Sequence, residues 1–183
     1  MYSWTPLMTD APLGIDALGF RRSLGAFPTG VCLVTTVDAT GKREGVTVNS
    51  FASVSLAPPL VLWSIRDEAR SSEAFVLGRH FIIHVLGLDQ QDLAQHFARP
   101  APDKFAAFDA QFAPGIGGCP RLRAGGVATY ECTTYSRHQE GDHTILVGRV
   151  ARYASRAAQP LVFHAGRMGS LQEIAAAAAG TTP

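Results

Sequence analysis

The stretch from residue 45 to residue 64, GVTVNSFASVSLAPPLVLWS, is rich in small hydroxyl side chains and carries no charged residue. Small hydroxyls and free backbone amides can recognise a flat ligand with a polar edge, or a phosphate, without adding charge. Thr47, Asn49 and Ser50 are therefore candidates for such recognition, with Val48 between them. The alternative for the same composition is a Ser-rich edge strand that faces water.

A cationic residue followed by two serines predicts a second element of the site. Arg70 precedes Ser71 and Ser72, either of which can cap a short helix that runs to about Leu77. The free amides at such a helix start, the Ser71 hydroxyl and the planar Arg70 guanidinium together suit a phosphate. Ordinary N-capping by Ser71 is the alternative. Lys104 is a further cationic candidate, although we expect it to be a solvated loop lysine.

The histidines offer one candidate with a plausible chemical role. His143 follows Gly141 and Asp142, and the three residues alone predict a hairpin turn. His84 lies within an apolar segment, so we expect a buried core residue with satisfied hydrogen bonds, whereas His96 is predicted on a helix surface. HExxH, GxSxG and GxGxxG are absent from the sequence, which argues against a zinc protease, a triad hydrolase and a Rossmann domain. No metal site is predicted.

The elements that position these residues are mostly strands. Val46 and Val48 alternate with polar neighbours, as in a half-buried strand, and the apolar residues 60–63 suit a buried one. Further strands are predicted over residues 31–37, 80–86, 127–136 and 144–154. Helices are predicted from Ile15 to before Pro28, over residues 71–77, and over residues 89–97 with Asp89 as cap. The helices are short inserts between strands, which predicts a mostly antiparallel β-barrel with helical caps.

Composition and charge exclude several other classes of protein. The 183 residues are 46% hydrophobic and 17% charged with a net charge of +1, so neither nucleic acid nor an anionic membrane is an expected partner. The three cysteines form no CxxC pair, which favours a reducing cytoplasm over a disulfide framework. We expect one domain over residues 15–169, a loosely packed arm over residues 1–14 and an Ala-rich, partly helical tail over residues 170–183. No signal peptide and no membrane span are predicted.

An ordered series of segments resembles the short-chain flavin reductase family, the NAD(P)H:flavin oxidoreductases that supply reduced flavin to two-component monooxygenases. Besides the 45–64 stretch, the series comprises FPTGV at 27–31, VTT at 34–36, FIIHVL at 81–86, DQQDLAQHF at 89–97, DKF at 103–105, GDH at 141–143 and LVFHAGR at 161–167. It covers roughly residues 20–167. The HxGRY ending of the family has Met168 in place of its aromatic residue, so no stacking role is expected there.

The resemblance implies an FMN-binding split barrel, Greek-key-like and antiparallel, that forms a homodimer with flavin sites near the subunit interface. It implies hydride transfer from NADH or NADPH to FMN or FAD and delivery of the reduced flavin to a partner oxygenase. The implied flavin-binding residues are Thr47, Val48, Asn49, Ser50, Ser64, Ile65, Arg70 and Ser71. Pro28 and Thr29 are implied to border the nicotinamide, and His143 is the implied catalytic residue, as a hydrogen-bond donor or proton relay.

Two alternatives remain open at this level. A flavin-binding electron carrier of the same fold would share these residues without reducing free flavin. A relative of this fold could also reduce a corrinoid metal or another acceptor. The residues favour neither FMN over FAD nor NADH over NADPH.

Overall fold

The computed structural model describes residues 14–172, which form antiparallel β-sheets with short helices between the strands. The strands of this range are β1 (Thr29–Gly30), β2 (Cys32–Val37), β3 (Arg43–Val48), β4 (Ala52–Leu56), β5 (Pro59–Arg66), β6 (His80–Val85), β7 (Phe112–Pro114), β8 (Pro120–Leu122), β9 (Ala128–Glu140), β10 (His143–Ser155), β11 (Val162–His164) and β12 (Arg167–Gly169). Its α-helices are α1 (Ala17–Leu24), α2 (Ser72–Leu77) and α3 (Gln91–Phe97). Single 3-10 segments cover Leu88–Gln90, Ala106–Gln111 and Ile116–Gly118. The predicted mostly β fold is confirmed.

The main sheet has seven strands in the order β3-β2-β6-β9-β10-β5-β4, and every neighbouring pair is antiparallel. Its two edge strands, β3 and β4, follow each other in the chain, and β3 also contacts β5. The sheet therefore curls until its edges approach each other at residues 49–51. Two small sheets, β1-β11-β12 and β7-β8, pack outside it.

Apolar residues cover both sides of the central strands. On β2, Leu33 belongs to a cluster with α3 and the phenylalanines at 97, 105 and 112, whereas Val34 belongs to a second cluster around Trp63. Trp63 is fully buried between Phe75 and Phe81, with ring centroids 4.9 and 5.9 Å away. Strands that are buried on both faces read as continuous apolar runs, which is why residues 31–34 and 81–83 lack alternation.

The three cysteines lie in this interior as free thiols. Burial raises the pKa of Cys32 and that of Cys132 to about 12, and it also raises the pKa of Cys119. Thiols with pKa values of about 12 stay protonated at neutral pH, so Cys32 and Cys132 are packing residues.

The predicted hairpins are confirmed. Asp38 accepts hydrogen bonds from the backbone N–H of Thr40 and of Lys42, at 2.8 and 2.9 Å, and closes the turn between β2 and β3. Gly141 and Asp142 form the turn that connects β9 to β10. Gly141 has a φ of +61°, a conformation that glycine adopts without steric cost. β9 runs four residues past its predicted end, and β10 is one residue longer at each end than predicted.

The helices lie at the predicted positions, but not every residue predicted to cap a helix does so. Asp16 caps α1 and accepts from the N–H groups of Leu18 and Gly19. The prediction that Asp89 caps the third helix is wrong. Asp89 lies in the preceding 3-10 turn and pairs with the Arg156 guanidinium at 2.9 and 3.0 Å, and α3 begins at Gln91.

Parts of the predicted organisation fall at the ends of the described range. The predicted arm, apart from its last residue, and the predicted tail helix beyond residue 172 lie outside the described residues. Between residues 14 and 172 there is no helix with the length and apolar character needed to cross a membrane.

Candidate functional site

The corner between β3 and β5 gathers the residues of the hydroxyl-rich stretch. The Ser50 hydroxyl accepts a hydrogen bond from the Ser64 N–H at 3.0 Å and donates to the Ser64 C=O at 3.1 Å. The Thr47 hydroxyl donates to the Ala94 C=O at 2.7 Å and so ties β3 to α3. These two hydroxyls hold the corner together, which leaves recognition here to the backbone and to Asn49, whose side chain is exposed.

The backbone of β3 is available for recognition because β3 is an edge of the main sheet. Its inner side pairs with β2, where Val48 lies opposite Cys32, while its outer side forms no β-ladder with another strand of the described sheet. Unpaired N–H and C=O groups at a sheet edge readily bind another polar partner. The Val48 side chain is half-buried against the cluster around Trp63.

Ser64 and Ile65 present opposite faces of β5. The Ile65 side chain is buried in the core, so this residue can offer a ligand its backbone alone. Ser64 is half-buried on the other face, which β5 shares with β10, where Ile145 lies opposite Ser64 and His143 lies opposite Arg66. His143 and Ser64 are therefore diagonal neighbours on one face of the sheet.

The start of α2 places Arg70 and Ser71 beside the other end of β3. Ser71 occupies the N-cap position, but its side chain makes no capping hydrogen bond and its backbone is helical, at φ −92° and ψ −1°. Ordinary N-capping therefore does not account for this residue, although its side chain is buried. The Arg70 guanidinium is exposed and has no ion-pair partner within residues 14–172.

Lys104 belongs to this region, and the expectation of a solvated loop lysine is wrong. Its ammonium group donates to the Phe97 C=O at 2.9 Å and to the Gly45 C=O at 3.1 Å, which links α3 to the start of β3. Burial lowers the pKa of Lys104, Glu44 acts in the opposite direction, and Arg70 lowers it further. Arg70 and Lys104 therefore lie close enough for their charges to interact, with the Glu44 carboxylate nearby as a counter-charge.

Thr29 contains a buried polar atom that the described residues leave unsatisfied. It lies on β1 opposite Phe163, and its hydroxyl oxygen is buried without a hydrogen-bond partner. Its neighbour Pro28 is exposed. Buried hydroxyls are nearly always paired, so an unpaired one at a surface strand suits contact with a ligand. β1 belongs to a small separate sheet, and no hydrogen bond of the described chain joins Thr29 to the Ser50–Ser64 corner.

His143 is the first residue of β10, and its imidazole is partly exposed, at 39%. Its Nδ1 lies 2.7 Å from a carboxylate oxygen of Asp142. This hydrogen bond is the main cause of the lowered pKa of Asp142. A carboxylate that holds one ring nitrogen leaves Nε2 free to exchange a proton, so the pair can relay protons at the surface.

Two further histidines, His84 and His96, serve structural roles. His84 is fully buried, with Nδ1 3.2 Å from the Leu33 C=O and Nε2 accepting from the Leu122 N–H at 3.1 Å, which confirms the prediction of a satisfied core residue. Burial lowers its pKa to about 4. The prediction for His96 is wrong, because its ring is half-buried against Phe108 and its Nε2 lies 2.9 Å from the Lys104 C=O. No group of three metal-ligating side chains occurs within residues 14–172.

A comparison with known protein families identifies the family of this chain. The family described as "Flavin reductase like domain" matches residues 24–172, which include every candidate residue named above. The chain belongs to this flavin reductase family.

Similar proteins share both the sequence and the fold. The FMN reductase (NADH) SmoA of Agrobacterium fabrum is 44% identical over 158 residues, which are 86% of this chain and 88% of SmoA. The monooxygenase reductase subunit HsaB of Rhodococcus jostii is 38% identical over 86% of this chain and 80% of HsaB. The NADH:FAD oxidoreductase SgcE6 of Streptomyces globisporus superposes with a TM-score of 0.77 at 36% identity, over 84% of this chain and 91% of SgcE6. A second structure of SgcE6 contains NAD and FAD fragments.

Proposed function

We propose that the chain binds a flavin at the corner between β3 and β5, reduces it with NADH or NADPH, and releases it to a partner oxygenase. The observation that carries this proposal is the family match, since residues 24–172 contain the complete set of candidate residues. The chain is thus an NAD(P)H:flavin oxidoreductase. Bound flavin supplies the electronic chemistry by accepting a hydride from the nicotinamide, and the protein supplies position and orientation.

The flavin ring and its side chain lie along the outer edge of β3 and the end of β5. Along residues 47–49, alternate backbone groups point to the free edge of β3 and face the polar edge of the ring, and Val48 lies between Thr47 and Asn49 on this strand. The Ser50–Ser64 contact holds the two strands at a fixed separation. The flavin phosphate lies beside Arg70 and Ser71. This placement gives the unpaired guanidinium and the uncommitted Ser71 hydroxyl a partner.

The nicotinamide lies against the flavin between Pro28–Thr29 and His143. The Thr29 hydroxyl, unpaired within the described residues, donates to or accepts from the nucleotide. His143 hydrogen-bonds the nucleotide or relays a proton to reduced flavin through Nε2, since Asp142 holds its other nitrogen. His143 is the one catalytic residue of the proposal, and no side chain is required as an obligatory acid.

The proposal includes a homodimer in the cytoplasm. Three apolar side chains on β4 and β9 are exposed in the single chain, namely Val54 at 49%, Leu56 at 96% and Tyr135 at 58%. A second copy that covers such side chains would remove them from water, and in the proposal it also closes the flavin corner. Sedimentation velocity tests this proposal, and a fully active monomer at micromolar concentration would contradict it.

A steady-state assay tests the reductase function. NADH or NADPH oxidation is followed with added FMN, FAD or riboflavin, and turnover should rise with the concentration of free flavin. Flavin should exchange during dialysis. Its dissociation constant should lie in the micromolar range, which corresponds to a binding free energy of about −8 kcal/mol. A protein that keeps its flavin through dialysis and oxidises NAD(P)H slowly whatever flavin is added would instead be an electron carrier.

A further inference from the structure

A cavity of about 590 Å³ opens beside Arg70, between the β2–β3 hairpin and α2. Its floor and walls come from Ala39 and Lys42 on the hairpin, from Glu73 and Ala74 on α2, and from the segment that follows α2, where Arg79 is exposed. Cavities that hold small molecules typically measure about 300–1,000 Å³. The volume is therefore that of a ligand-sized site.

The charges in this cavity are unevenly satisfied. Lys42 is paired with the carboxylate of Glu44 at 2.5 Å, and the Asp38 carboxylate accepts three hydrogen bonds within its own turn. Arg70 and Arg79, in contrast, have no ion-pair partner within residues 14–172. Two unpaired guanidinium groups on the wall of one cavity suit an anionic ligand, because each can donate two parallel hydrogen bonds to phosphate oxygens.

Apolar and acidic groups complete the lining. Ala39, Ala74 and Leu77 expose methyl groups to the cavity, which favour contact with a flat ring. Glu73 lies in the first turn of α2 and is exposed, without an ion pair in the described chain. A carboxylate in this setting can accept hydrogen bonds from the vicinal hydroxyls of a ribose. The lining therefore suits a ligand that carries an anionic group, a flat ring and a ribose, and a nucleotide has all three.

We propose that this cavity receives the adenosine half of FAD and makes FAD the preferred flavin of the enzyme. The inference rests on the proposed function, in which the flavin phosphate lies beside Arg70. FMN ends at that phosphate, whereas FAD continues from it through a second phosphate to ribose and adenine. The cavity begins at Arg70, so the continuation of FAD lies inside it, with the second phosphate at Arg79, the ribose at Glu73 and the adenine against Ala39 and Ala74.

Equilibrium titrations with FAD, FMN and riboflavin test the proposal. Two exposed positions away from the flavin corner are changed, Arg79→Ala to remove the second cation and Ala39→Trp to fill the cavity from the hairpin. Wild-type protein should bind FAD more tightly than FMN. Arg79→Ala should weaken FAD binding about tenfold, the loss of roughly one charge-assisted hydrogen bond, and Ala39→Trp should weaken it at least as much because the indole occupies the space of the adenine. FMN and riboflavin binding should stay unchanged.

Matched controls keep the outcome interpretable. Arg99→Ala and Ala107→Trp make the same changes at exposed positions that do not line the cavity, and neither should alter any flavin affinity. Equal weakening of FMN and FAD by Arg79→Ala, or unchanged FAD binding in both cavity variants, overturns the FAD preference while flavin binding itself stands. Failure of the wild-type protein to bind any of the three flavins instead overturns the proposed function, and the inference with it.

Discussion

Ser50 makes both of its hydrogen bonds to the backbone of a single residue, Ser64, at 3.0 Å to the N–H and 3.1 Å to the C=O. Ser50 lies in the link between β3 and β4, the two edges of the seven-stranded sheet, and Ser64 lies on β5, which pairs with β4. One hydroxyl therefore substitutes for a rung of a β-ladder and joins the edge β3 to the opposite end of the sheet. The proposed flavin corner depends on this contact for its shape.

Removing this hydroxyl should reduce both stability and flavin affinity. Ser50→Ala leaves two half-buried backbone groups of Ser64 unpaired, which costs about 1–3 kcal/mol of unfolding free energy. Urea denaturation and flavin titration measure the two effects, and Ser50→Thr, which retains the hydroxyl, should restore much of both. Ser53→Ala on β4 is the control, because Ser53 is exposed. Equal stability of Ser50→Ala and Ser53→Ala would refute the role of Ser50.

Arg70→Ala should weaken FMN binding and leave riboflavin binding unchanged, since riboflavin lacks the phosphate. The loss of a charge-assisted hydrogen bond corresponds to about 1.5–3 kcal/mol, or roughly ten- to a hundredfold in the dissociation constant. Fluorescence titration of both flavins measures the difference, with Arg99→Ala as the matched control. Equal weakening of FMN and riboflavin binding would contradict the assignment of Arg70 to the phosphate.

Ser71→Ala separates a binding role from a capping role. Because the Ser71 side chain makes no capping hydrogen bond, its removal should leave the unfolding free energy within about 0.5 kcal/mol of wild type, whereas loss of a functional cap costs about 1 kcal/mol. FMN affinity should nevertheless fall. A variant that loses stability but binds FMN normally would show that Ser71 is structural.

His143→Ala should lower turnover with NAD(P)H and leave flavin affinity nearly unchanged. The imidazole is paired with Asp142, and the proposal places it at the nicotinamide, so its loss removes a proton-relay group without removing a proposed flavin contact. Steady-state kinetics at saturating flavin and flavin titration give the two readouts. His138→Ala is the matched control, since His138 is exposed on the neighbouring strand β9. A shift in flavin affinity with unchanged turnover would contradict the assignment.

Acid should destabilise the protein through His84. Its pKa is 6.5 in an unfolded chain and about 4 in the fold, mainly because burial disfavours the charged form. Between these values the unfolded chain binds the proton and the folded chain does not. The contribution of His84 is therefore complete above about pH 6.5 and is lost as the pH falls towards about 4, by roughly 3 kcal/mol in total.

Urea denaturation at a series of pH values measures this dependence. His84→Gln, which cannot titrate, should show a shallower loss of stability between about pH 6.5 and about pH 4. An unchanged slope in His84→Gln would show that other groups cause the acid sensitivity.

The sequence predicts those features that short segments encode. β-branched runs joined by the turns at residues 38–41 and 141–142 predict the hairpins, since strand propensity and turn chemistry are local. His84 is predictable as a core residue because its neighbours along the strand are apolar. The fold class follows from the order of strands and short helices, and the resemblance to flavin reductases extends over the same segments.

Contacts between distant segments are beyond such reasoning. Lys104 looks like a loop lysine in its own segment, and only the fold brings it to Gly45 and turns its ammonium group inwards. Asp89 has the residue type and position of a helix cap, yet the Arg156 guanidinium competes for it. The sequence marks Ser50 and Ser64 as candidate ligand-binding residues, but it does not reveal their contact with each other, which depends on how the sheet curls. Tertiary partners decide each of these cases.

The buried thiols bear on how such an enzyme survives its own chemistry. Reduced flavin that meets air before it reaches a partner passes its electrons to molecular oxygen and generates hydrogen peroxide beside the protein. Peroxide attacks thiolates, and with pKa values of about 12 for Cys32 and Cys132 only about one thiol in 10⁵ is ionised at neutral pH. Because its cysteines are buried, the protein exposes no thiol to the peroxide that forms when reduced flavin reacts with oxygen instead of reaching a partner.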